Sequence, residues 1–169
     1  KRLDKEGGLQ WPCPDAGHPG TPILHCLSFT CGKGRLIPLE YKPSAELPDD
    51  EYPLLLTTGR NLFHFHTGTM TRKVAGLNAF MERELVEMNP ADAARLKLKD
   101  GEKVKVTSRR GQIEATISVT DVSDKGTVFM TFHFAESPTN HLTNPVLDPV
   151  AKIPEFKVCA VRVDKLKVK

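Results

Sequence analysis

The sequence predicts a mainly β domain with short helices, folded as a β-barrel and preceded by an extended arm. Segments of strand length with alternating apolar residues recur beyond residue 53, and only short helix-forming stretches separate them. The sequence contains no G-x-G-x-x-G motif, no phosphate-binding P-loop motif and no internal repeat. This combination favours a barrel of short strands over a parallel α/β sheet.

Residues 1–50 are expected to form the arm, and residues 51–169 the barrel domain. The arm is dense in proline between Gly7 and Asp50, where residues 12, 14, 19, 22, 38, 43 and 48 are all Pro. Few helices or central strands tolerate that density. Trp11 is a large apolar side chain with little local apolar sequence to cover it. We therefore expect an extended, loosely packed strap that lies on a neighbouring domain.

The expected strands of the barrel domain follow from the spacing of apolar residues. A continuous apolar run covers residues 54–58 and ends at Gly59. Alternation over residues 103–107 resumes over residues 113–119 after an Arg-Arg-Gly turn, which predicts a hairpin with one buried face. Two more strands are expected, at residues 128–132 and 159–163.

Two short helices are expected between these strands. Asn89 has the properties of an N-cap, Pro90 suits the first helical position, and Asp92 places an acid in the first turn. We assign Asn89 and Asp92 to helix capping rather than to a ligand. For the second helix, Thr69 or Thr71 is the candidate cap. Its apolar face would comprise Val74, Leu77 and Met81.

The composition is that of an ordinary soluble domain, with 39% hydrophobic and 27% charged residues. No apolar run approaches the ~20 residues of a membrane helix, and the charged start of the chain does not resemble a signal peptide. We therefore expect no transmembrane segment and a cytoplasmic location. The net charge of +3 slightly favours an anionic ligand, and nucleic acid is not an expected partner because no long basic run occurs.

Four cysteines, Cys13, Cys26, Cys31 and Cys159, would allow two disulfides or a metal site. A domain of this size does not need disulfides, and nothing in the sequence indicates secretion. Structural zinc sites usually carry closely spaced ligand pairs in both halves of the site. Cys26 and Cys31 lie close together, but Cys159 stands alone and no second pair exists. We expect reduced thiols and no metal ligand.

The stretch from Gly59 to Thr69 has the densest concentration of functional side chains. Glycines near both ends let the backbone approach a ligand and present N–H groups to anionic oxygens. Arg60 can bind a phosphate through two N–H groups, while His64 and His66 flank an aromatic ring. This composition suits a phosphate-bearing ligand with flat rings. A polar surface loop whose two histidines pack against neighbouring residues is the alternative, and the composition leaves both open.

Catalytic residues are not apparent in the sequence. Ser108, Ser118, Ser123 and Ser137 lie outside any G-x-S-x-G context, and the cysteines lack a nucleophile motif. Acidic pairs such as Glu82 and Glu84 are interpreted as solvated charges. The residues alone therefore indicate a barrel that binds an anionic ligand, without a catalytic constellation.

Blocks of residues along the chain follow the order of one enzyme family. Gln10-Trp11-Pro12-Cys13-Pro14 is similar to the stretch that leads into the last domain of formate dehydrogenase catalytic subunits. Thr57-Thr58-Gly59-Arg60 resembles the opening of that domain, and His64-Phe65-His66-Thr67-Gly68-Thr69 a block shared with nitrate reductases. The chain thus resembles the molybdopterin oxidoreductases. Further matching blocks are Asn89-Pro90-Ala91-Asp92-Ala93, Ser108-Arg109-Arg110-Gly111, Asn140-His141-Leu142-Thr143 and Pro154-Glu155-Phe156-Lys157-Val158-Cys159.

The resemblance implies a double-psi β-barrel that binds a bis(molybdopterin guanine dinucleotide) cofactor carrying molybdenum or tungsten. It also implies that residues 58–67 wrap the pyrophosphate and pterin, with Phe132, Asn140 and Lys157 as further contacts. A flat ring, an amide and a point charge suit these roles. The implied cofactor-binding residues are Thr58, Gly59, Arg60, Asn61, Leu62, Phe63, His64, Phe65, His66, Thr67, Phe132, Asn140 and Lys157.

The same resemblance implies that the chain is one domain of a larger oxidoreductase. The metal ligand and the iron–sulfur cysteines of the family lie in preceding domains of the catalytic subunit, so those domains are expected partners. Iron–sulfur electron-transfer subunits are a further implied partner. Gln10-Trp11-Pro12-Cys13-Pro14 favours formate dehydrogenase over a nitrate reductase-like enzyme. A stand-alone barrel that binds a nucleotide or a partner protein is the alternative from another class.

Overall fold

The computed structural model describes residues 2–166, which divide between two compact units, Lys1–Lys42 and Pro43–Lys169. Residues 167–169 of the expected barrel domain lie outside the described part. In the first unit, helix α1 spans Arg2–Glu6, and the Arg2 guanidinium donates hydrogen bonds of 2.6 Å to the carbonyls of Ala16 and His18. Most other side chains of this unit are exposed.

Within the described residues, six strands close the second unit into a barrel. They are β1 (Leu54–Gly59), β2 (Leu85–Met88), β3 (Lys103–Thr107), β4 (Gln112–Val119), β5 (Thr127–Thr131) and β6 (Cys159–Lys165). Their order around the barrel is β1-β5-β2-β4-β3-β6, and the pairs β1–β5 and β2–β4 are parallel while the other pairs are antiparallel. The predicted fold class, a mainly β double-psi barrel with short helices, is confirmed.

The hydrophobic core fills the inside of the barrel. Alternate residues of a strand point to the same face, so each strand contributes every second side chain to the core. Full burial of one such aliphatic side chain contributes about 1.5–3 kcal/mol. The side chains with no exposed surface include Leu56, Val86, Met88, Val104, Val106, Val128 and Met130.

The strand β2 is absent from the sequence-based prediction. Leu85–Met88 comprises four residues, of which Val86 and Met88 are buried. Two apolar alternations are too few to separate a strand from a loop, and Asn89 begins a helix directly afterwards. The other predicted strands are confirmed, including the β3–β4 hairpin, in which Val106 pairs with Ile113.

The predicted helix start at Asn89 is confirmed. Helix α3 spans Pro90–Arg95, and the Asn89 side chain accepts a 3.0 Å hydrogen bond from the Ala91 N–H. Asp92 has a different role from the predicted cap, because its buried carboxylate accepts the Gly126 N–H at 2.6 Å and pairs with Arg95 at 2.8 Å. It therefore ties α3 to the turn before β5.

The predicted cap of the second helix is wrong. Helix α2 spans Ala75–Phe80 and follows Val74, which has no side chain able to cap it. Thr71 instead begins a short 3-10 turn, Thr71–Lys73, and its hydroxyl is bonded to the ring of His64. Helix α2 contains no buried residue, so its amphipathic pattern does not correspond to a buried face.

The interpretation of Glu84 as a solvated charge is also wrong. Its side chain is 3% exposed, and its carboxylate accepts both the N–H and the hydroxyl hydrogen of Thr131, each at 2.8 Å. Burial raises the pKa of Glu84 to about 7. Glu84 is the residue directly before β2, and its hydrogen bonds therefore connect the start of β2 to Thr131 at the end of β5.

Residues 43–50, which the sequence grouped with the arm, contact the barrel in the second unit. The Glu46 carboxylate binds the Arg110 guanidinium and accepts a 2.7 Å hydrogen bond from the Ala160 N–H of β6. The hydrogen bond from Arg110 lowers the pKa of Glu46 below its usual range. The Asp49 carboxylate likewise forms an ion pair with the Arg109 guanidinium.

The cysteines have contrasting environments. Cys26 and Cys31 are exposed, Cys13 is half-buried, and Cys159 lies in the barrel core without exposed surface. Burial raises the pKa of the Cys159 thiol to about 11, so this thiol stays protonated at neutral pH. Across residues 2–166, no helix is both long and apolar enough to cross a membrane.

Candidate functional site

The barrel brings three distant segments to one end. Strands β1 and β5 are parallel and end side by side, with Gly59 opposite Thr131, so the loops that follow them leave at the same edge. Strand β6 runs antiparallel to β1, and its first residue, Cys159, pairs with Leu56. The loop before β6 therefore arrives where the other two depart.

These three segments line a cleft with a volume of about 490 Å³. The loop after β1 and the loops around β5 and β6 each contribute polar and aromatic side chains. The lining residues are Arg60, His66, Thr67, Phe132, Asn140, Phe156 and Lys157. Six of these seven residues belong to the set implied by the sequence, and Phe156 is the addition.

The chemistry of the cleft suits an anion with planar groups. Arg60 and Lys157 are cationic, and no carboxylate lines the cleft among the described residues. Phe132 presents a ring whose centroid is 5.7 Å from the Arg60 guanidinium carbon, and the His66 ring meets it edge-on at 5.9 Å. Asn140 adds an amide able to donate and accept hydrogen bonds.

Lys157 is held at the mouth of the barrel by β1. Its ammonium donates a 2.5 Å hydrogen bond to the carbonyl of Thr58, and the buried Thr58 hydroxyl donates a 2.7 Å bond to the carbonyl of Phe156. Thr58 therefore positions the segment that precedes β6. Its own hydroxyl is used inside the protein.

Gly59 allows close approach between β1 and its neighbour. A Cβ atom at this position would lie 2.4 Å from a ring carbon of Phe129, far inside contact distance. Glycine is required here by the space that the Phe129 ring occupies, and the backbone of the cleft loop starts immediately after it.

The first turn of the cleft loop is organised by Asn61. Its side-chain oxygen accepts hydrogen bonds from the N–H groups of Phe63 at 2.9 Å and His64 at 3.0 Å. Its amide nitrogen is buried and has no partner within the structure. The loop therefore has one donor available to a ligand or to water.

His64 faces the interior of the protein. Its side chain is 2% exposed, with Nε2 2.7 Å from the carbonyl oxygen of Met81 and Nδ1 3.2 Å from the Thr71 hydroxyl. Of the two interpretations of this loop, packing against neighbours describes His64, whereas His66 lines the cleft.

Three other residues of the implied set, Leu62, Phe63 and Phe65, are not among the residues that line the cleft. Leu62 is 93% exposed and Phe65 is 66% exposed. Phe63 stacks on Phe80 of helix α2, with ring centroids 4.9 Å apart and an angle of 11° between the planes. The structure therefore separates the loop into a lining part and an outer part.

His133 is a buried residue beside the cleft that the sequence-based prediction missed. Its Nε2 accepts the Asn61 N–H at 3.1 Å, and its Nδ1 contacts the carbonyl oxygen of His66. Burial lowers the pKa of His133. A histidine two residues beyond the end of β5 is visible in the sequence, but its contacts depend on the parallel pairing of β1 and β5.

No cluster of three or more His, Cys, Asp or Glu side chains within residues 2–166 has an arrangement that could hold a metal ion. The cleft itself contains one histidine and no acid or cysteine in its described lining. Its residues are suited to binding an organic anion by charge, hydrogen bonds and ring contacts.

Comparison with known proteins identifies several similar sequences and structures. The family model "Molydopterin dinucleotide binding domain" matches residues 54–160. The chain is 51% identical, over 98% of its length, to the F420-dependent formate dehydrogenase subunit alpha of Methanocaldococcus jannaschii. It is 41% identical, over 96% of its length, to the assimilatory nitrate reductase catalytic subunit of Bacillus subtilis.

The chain spans 25% and 24% of the lengths of these two relatives. Among solved structures, acetylene hydratase from Pelobacter acetylenicus is similar over 69% of this chain and 19% of that chain, with a TM-score of 0.60 and 18% sequence identity. At that identity the likeness shows the fold alone. The fold thus has a counterpart in a much larger protein.

Proposed function

This chain belongs to the molybdopterin dinucleotide binding domain family, and from that membership we propose that its cleft binds the guanine dinucleotide part of a bis(molybdopterin guanine dinucleotide) cofactor. The family supports a molybdopterin-type cofactor. The guanine form and the second pterin are the finer part of the proposal. When bound, the cofactor supplies a molybdenum or tungsten ion that exchanges two electrons with a substrate.

The residues of the cleft fit such a group. The observation that carries the proposal is the convergence of Arg60 and Lys157 in a cleft whose described lining has no carboxylate. A pyrophosphate needs cations, which these two residues provide, and Arg60 can donate two parallel hydrogen bonds. Phe132 and Phe156 offer ring faces to planar groups, and Asn140 offers an amide.

The unpaired amide nitrogen of Asn61 adds a second line of support. A buried donor without a partner is costly, by roughly 1–3 kcal/mol, unless a ligand or water satisfies it. Its position in the loop after β1 places it in the segment that the family resemblance assigns to pyrophosphate and pterin. This donor is thus suited to an acceptor oxygen of the cofactor.

For the whole protein, we propose the catalytic subunit of a formate dehydrogenase, which oxidises formate to CO2. The 51% identity to the M. jannaschii formate dehydrogenase subunit supports formate, and the 41% identity to the B. subtilis enzyme keeps a nitrate reductase-like enzyme as the second candidate. Preceding domains of the same subunit would hold the metal, and iron–sulfur subunits would carry electrons. We propose a cytoplasmic location.

A binding titration tests the role of the cleft. The probe is GDP-mannose, because it carries a guanine nucleotide and an esterified pyrophosphate like those of the proposed cofactor. We expect Arg60→Ala and Lys157→Ala to weaken its binding by roughly tenfold or more each, the effect of losing a hydrogen bond to a charged group. Unchanged dissociation constants in both variants would contradict the proposal.

Matched control variants remove a cation outside the cleft. Arg83 is exposed and pairs with the exposed Glu82, and Lys73 is exposed at the end of the 3-10 turn. Arg83→Ala and Lys73→Ala change the net charge by the same amount as the cleft variants, so long-range charge effects cancel in the comparison. Equal losses in cleft and control variants would indicate non-specific attraction rather than a binding site.

A further inference from the structure

We propose that His133 is the positioning residue of the cleft, because its imidazole joins the two ends of the segment Asn61–His66 and thereby fixes the side chains that face the ligand. The inference rests on the proposed function, since the segment matters only if the cleft binds the cofactor. His133 itself does not line the cleft. It acts through the backbone of His66, which lines the cleft, and of Asn61, which is next to the lining residue Arg60.

The hydrogen bonds of His133 determine which nitrogen carries the proton. The Asn61 N–H donates to Nε2 at 3.1 Å, so Nε2 must be an unprotonated acceptor. The other nitrogen, Nδ1, contacts the carbonyl oxygen of His66, which can only accept. The neutral ring with its proton on Nδ1 satisfies both contacts, and neither the other tautomer nor the charged ring does.

The two contacts join the ends of a loop whose middle is held separately by the Asn61 side chain and by buried His64. His66 has a positive φ of 52°, and Gly68 has a φ of 71°, so the chain reverses in a conformation that most residues disfavour. The bond from His133 to the His66 carbonyl holds this reversal. It therefore places His66 and Thr67 against the cleft, while the bond to Asn61 holds the start of the same loop next to Arg60.

The surroundings of His133 disfavour a proton on Nε2. Its side chain is 2% exposed, and its ring lies 5.7 Å from the His64 ring, measured between centroids. The charged and titratable groups that face it are Arg60 and His66 from the cleft loop and His64. Burial lowers the pKa of His133, the hydrogen bond with the His66 carbonyl raises it, and the nearby charges of His64, Arg60 and His66 lower it, with a net lowering. The guanidinium of Arg72 lies 4.8 Å from the ring centroid of the next residue, Phe134.

Three substitutions of His133 distinguish the effect of its two hydrogen bonds from the effect of its side-chain volume. His133→Gln retains an acceptor near the Nε2 position, so it can keep the Asn61 bond. His133→Asn retains a donor near the Nδ1 position, so it can keep the His66 bond. His133→Phe fills the same space and makes neither bond. His66→Gln is the matched control, because it removes the imidazole that lines the cleft but keeps the backbone carbonyl.

The experiment combines imidazole nitrogen NMR with GDP-mannose binding to the chain over a range of pH. The pyrophosphate of GDP-mannose is a diester and does not titrate near neutral pH. We expect the Nδ1–H tautomer at His133, and affinity that falls as the pH drops below about 6.5. His133→Phe should bind roughly five- to tenfold more weakly at neutral pH. The loss of GDP-mannose affinity at low pH should be absent in His133→Gln and should persist in His66→Gln.

The possible outcomes distinguish failure of the positioning role of His133 from failure of cofactor binding by the cleft. Wild-type affinity and an unchanged pH profile in His133→Phe would overturn the positioning role, as would an Nε2–H tautomer. If His133→Phe fails to fold, the Gln and Asn variants decide through their pH profiles. If the wild-type chain binds no GDP-mannose, the proposed function fails. An Asn61 amide signal unaltered by His133→Asn, which lacks an acceptor near the Nε2 position, would still overturn the contact.

Discussion

The ammonium group of Lys157 donates a hydrogen bond to the backbone carbonyl of Thr58, 99 residues earlier in the chain. The Thr58 hydroxyl returns a bond to the carbonyl of Phe156. Two reciprocal contacts therefore join the end of β1 to the segment that leads into β6. A cation of the cleft is thus positioned by the barrel itself, before any ligand is present.

Thr58→Val tests this connection, because valine has nearly the same shape and lacks the hydroxyl. We expect a loss of about 1 kcal/mol in the free energy of unfolding, the net value of one hydrogen bond. GDP-mannose affinity should fall as well, since Phe156 and Lys157 lose their anchor. Chemical denaturation and a binding titration measure the two effects. Thr57→Val, on the outer face of the same strand, should change neither by a comparable amount.

Gly59→Ala should destabilise the barrel by about 1–3 kcal/mol, because the new methyl group would overlap the Phe129 ring. Phe129→Leu should restore part of the loss in a double-mutant cycle. Additive effects of the two substitutions would show that the ring is not the cause. Gly76→Ala in helix α2 is the control, because a Cβ there meets no atom within 4 Å. It should stabilise by about 0.5–1 kcal/mol.

Glu84→Gln should change how stability depends on pH. The pKa of Glu84 rises from 4.5 to about 7 on folding, so its protonated form favours the folded state. Its contribution is fully present below about pH 4.5 and is lost as the pH rises through about 7. At roughly 1.4 kcal/mol per pKa unit, the full change is on the order of 3 kcal/mol.

The measurement for Glu84 is the difference in unfolding free energy between wild type and Glu84→Gln at each pH. His133 has a lowered pKa, so its contribution is present above about pH 6.5 and is lost as the pH falls from there through its lowered pKa, which opposes the effect of Glu84. Subtraction removes the His133 effect because both proteins contain it. A difference that does not vary with pH would contradict the assignment.

The thiols should react at different rates with a thiol reagent. Cys26 and Cys31 are exposed and should react first, followed by Cys13. Cys159 should react only after denaturation, because it is buried and its pKa is raised to about 11. Reductant should not increase the total, since we expect no disulfide. Stoichiometric zinc in the purified chain would contradict the expectation that none of the cysteines binds a metal.

Amide hydrogen exchange should distinguish the two compact units. Large apolar side chains of the first unit are exposed, among them Leu27 at 100%, Leu36 at 98% and Tyr41 at 91%. Few buried contacts hold this segment, so its amides should exchange faster than those of β1 to β6. Exchange as slow as in the barrel strands throughout residues 7–42 would show that the arm is firmly packed.

Local periodicity predicted most of the barrel. The alternation around Val104 and Ile113 and the turn between them are sufficient to indicate a hairpin, and Asn89-Pro90 marks a helix start through local hydrogen bonding and a fixed φ. The strand at Leu85 was missed because four residues give too little pattern. Its place between β5 and β4 is set by pairing with distant strands.

Six of the residues that line the cleft were predicted from the sequence, but His133, which lies beside the cleft and contacts its loop, was not. Arg60, Asn140 and Lys157 were identified by family resemblance, and the structure brings them together. His64 is oriented by hydrogen bonds to Thr71 and Met81, which follow it in the chain at separations of 7 and 17 residues. The contacts of His133 depend on which residues meet across the barrel. A single sequence carries no signal for them, because they join residues about 70 positions apart, as Asn61 and His133 illustrate at a separation of 72.

The pairing of Leu56 with Cys159 has a consequence for the order of events during biosynthesis. The cleft needs the last strand, so it cannot exist while the ribosome is still making residues beyond β5. Joining partners so distant in the chain carries a large loop-closure entropy, which slows folding of such topologies. Binding of the proposed cofactor must therefore wait until translation has passed β6, because an incomplete nascent chain does not contain the finished cleft.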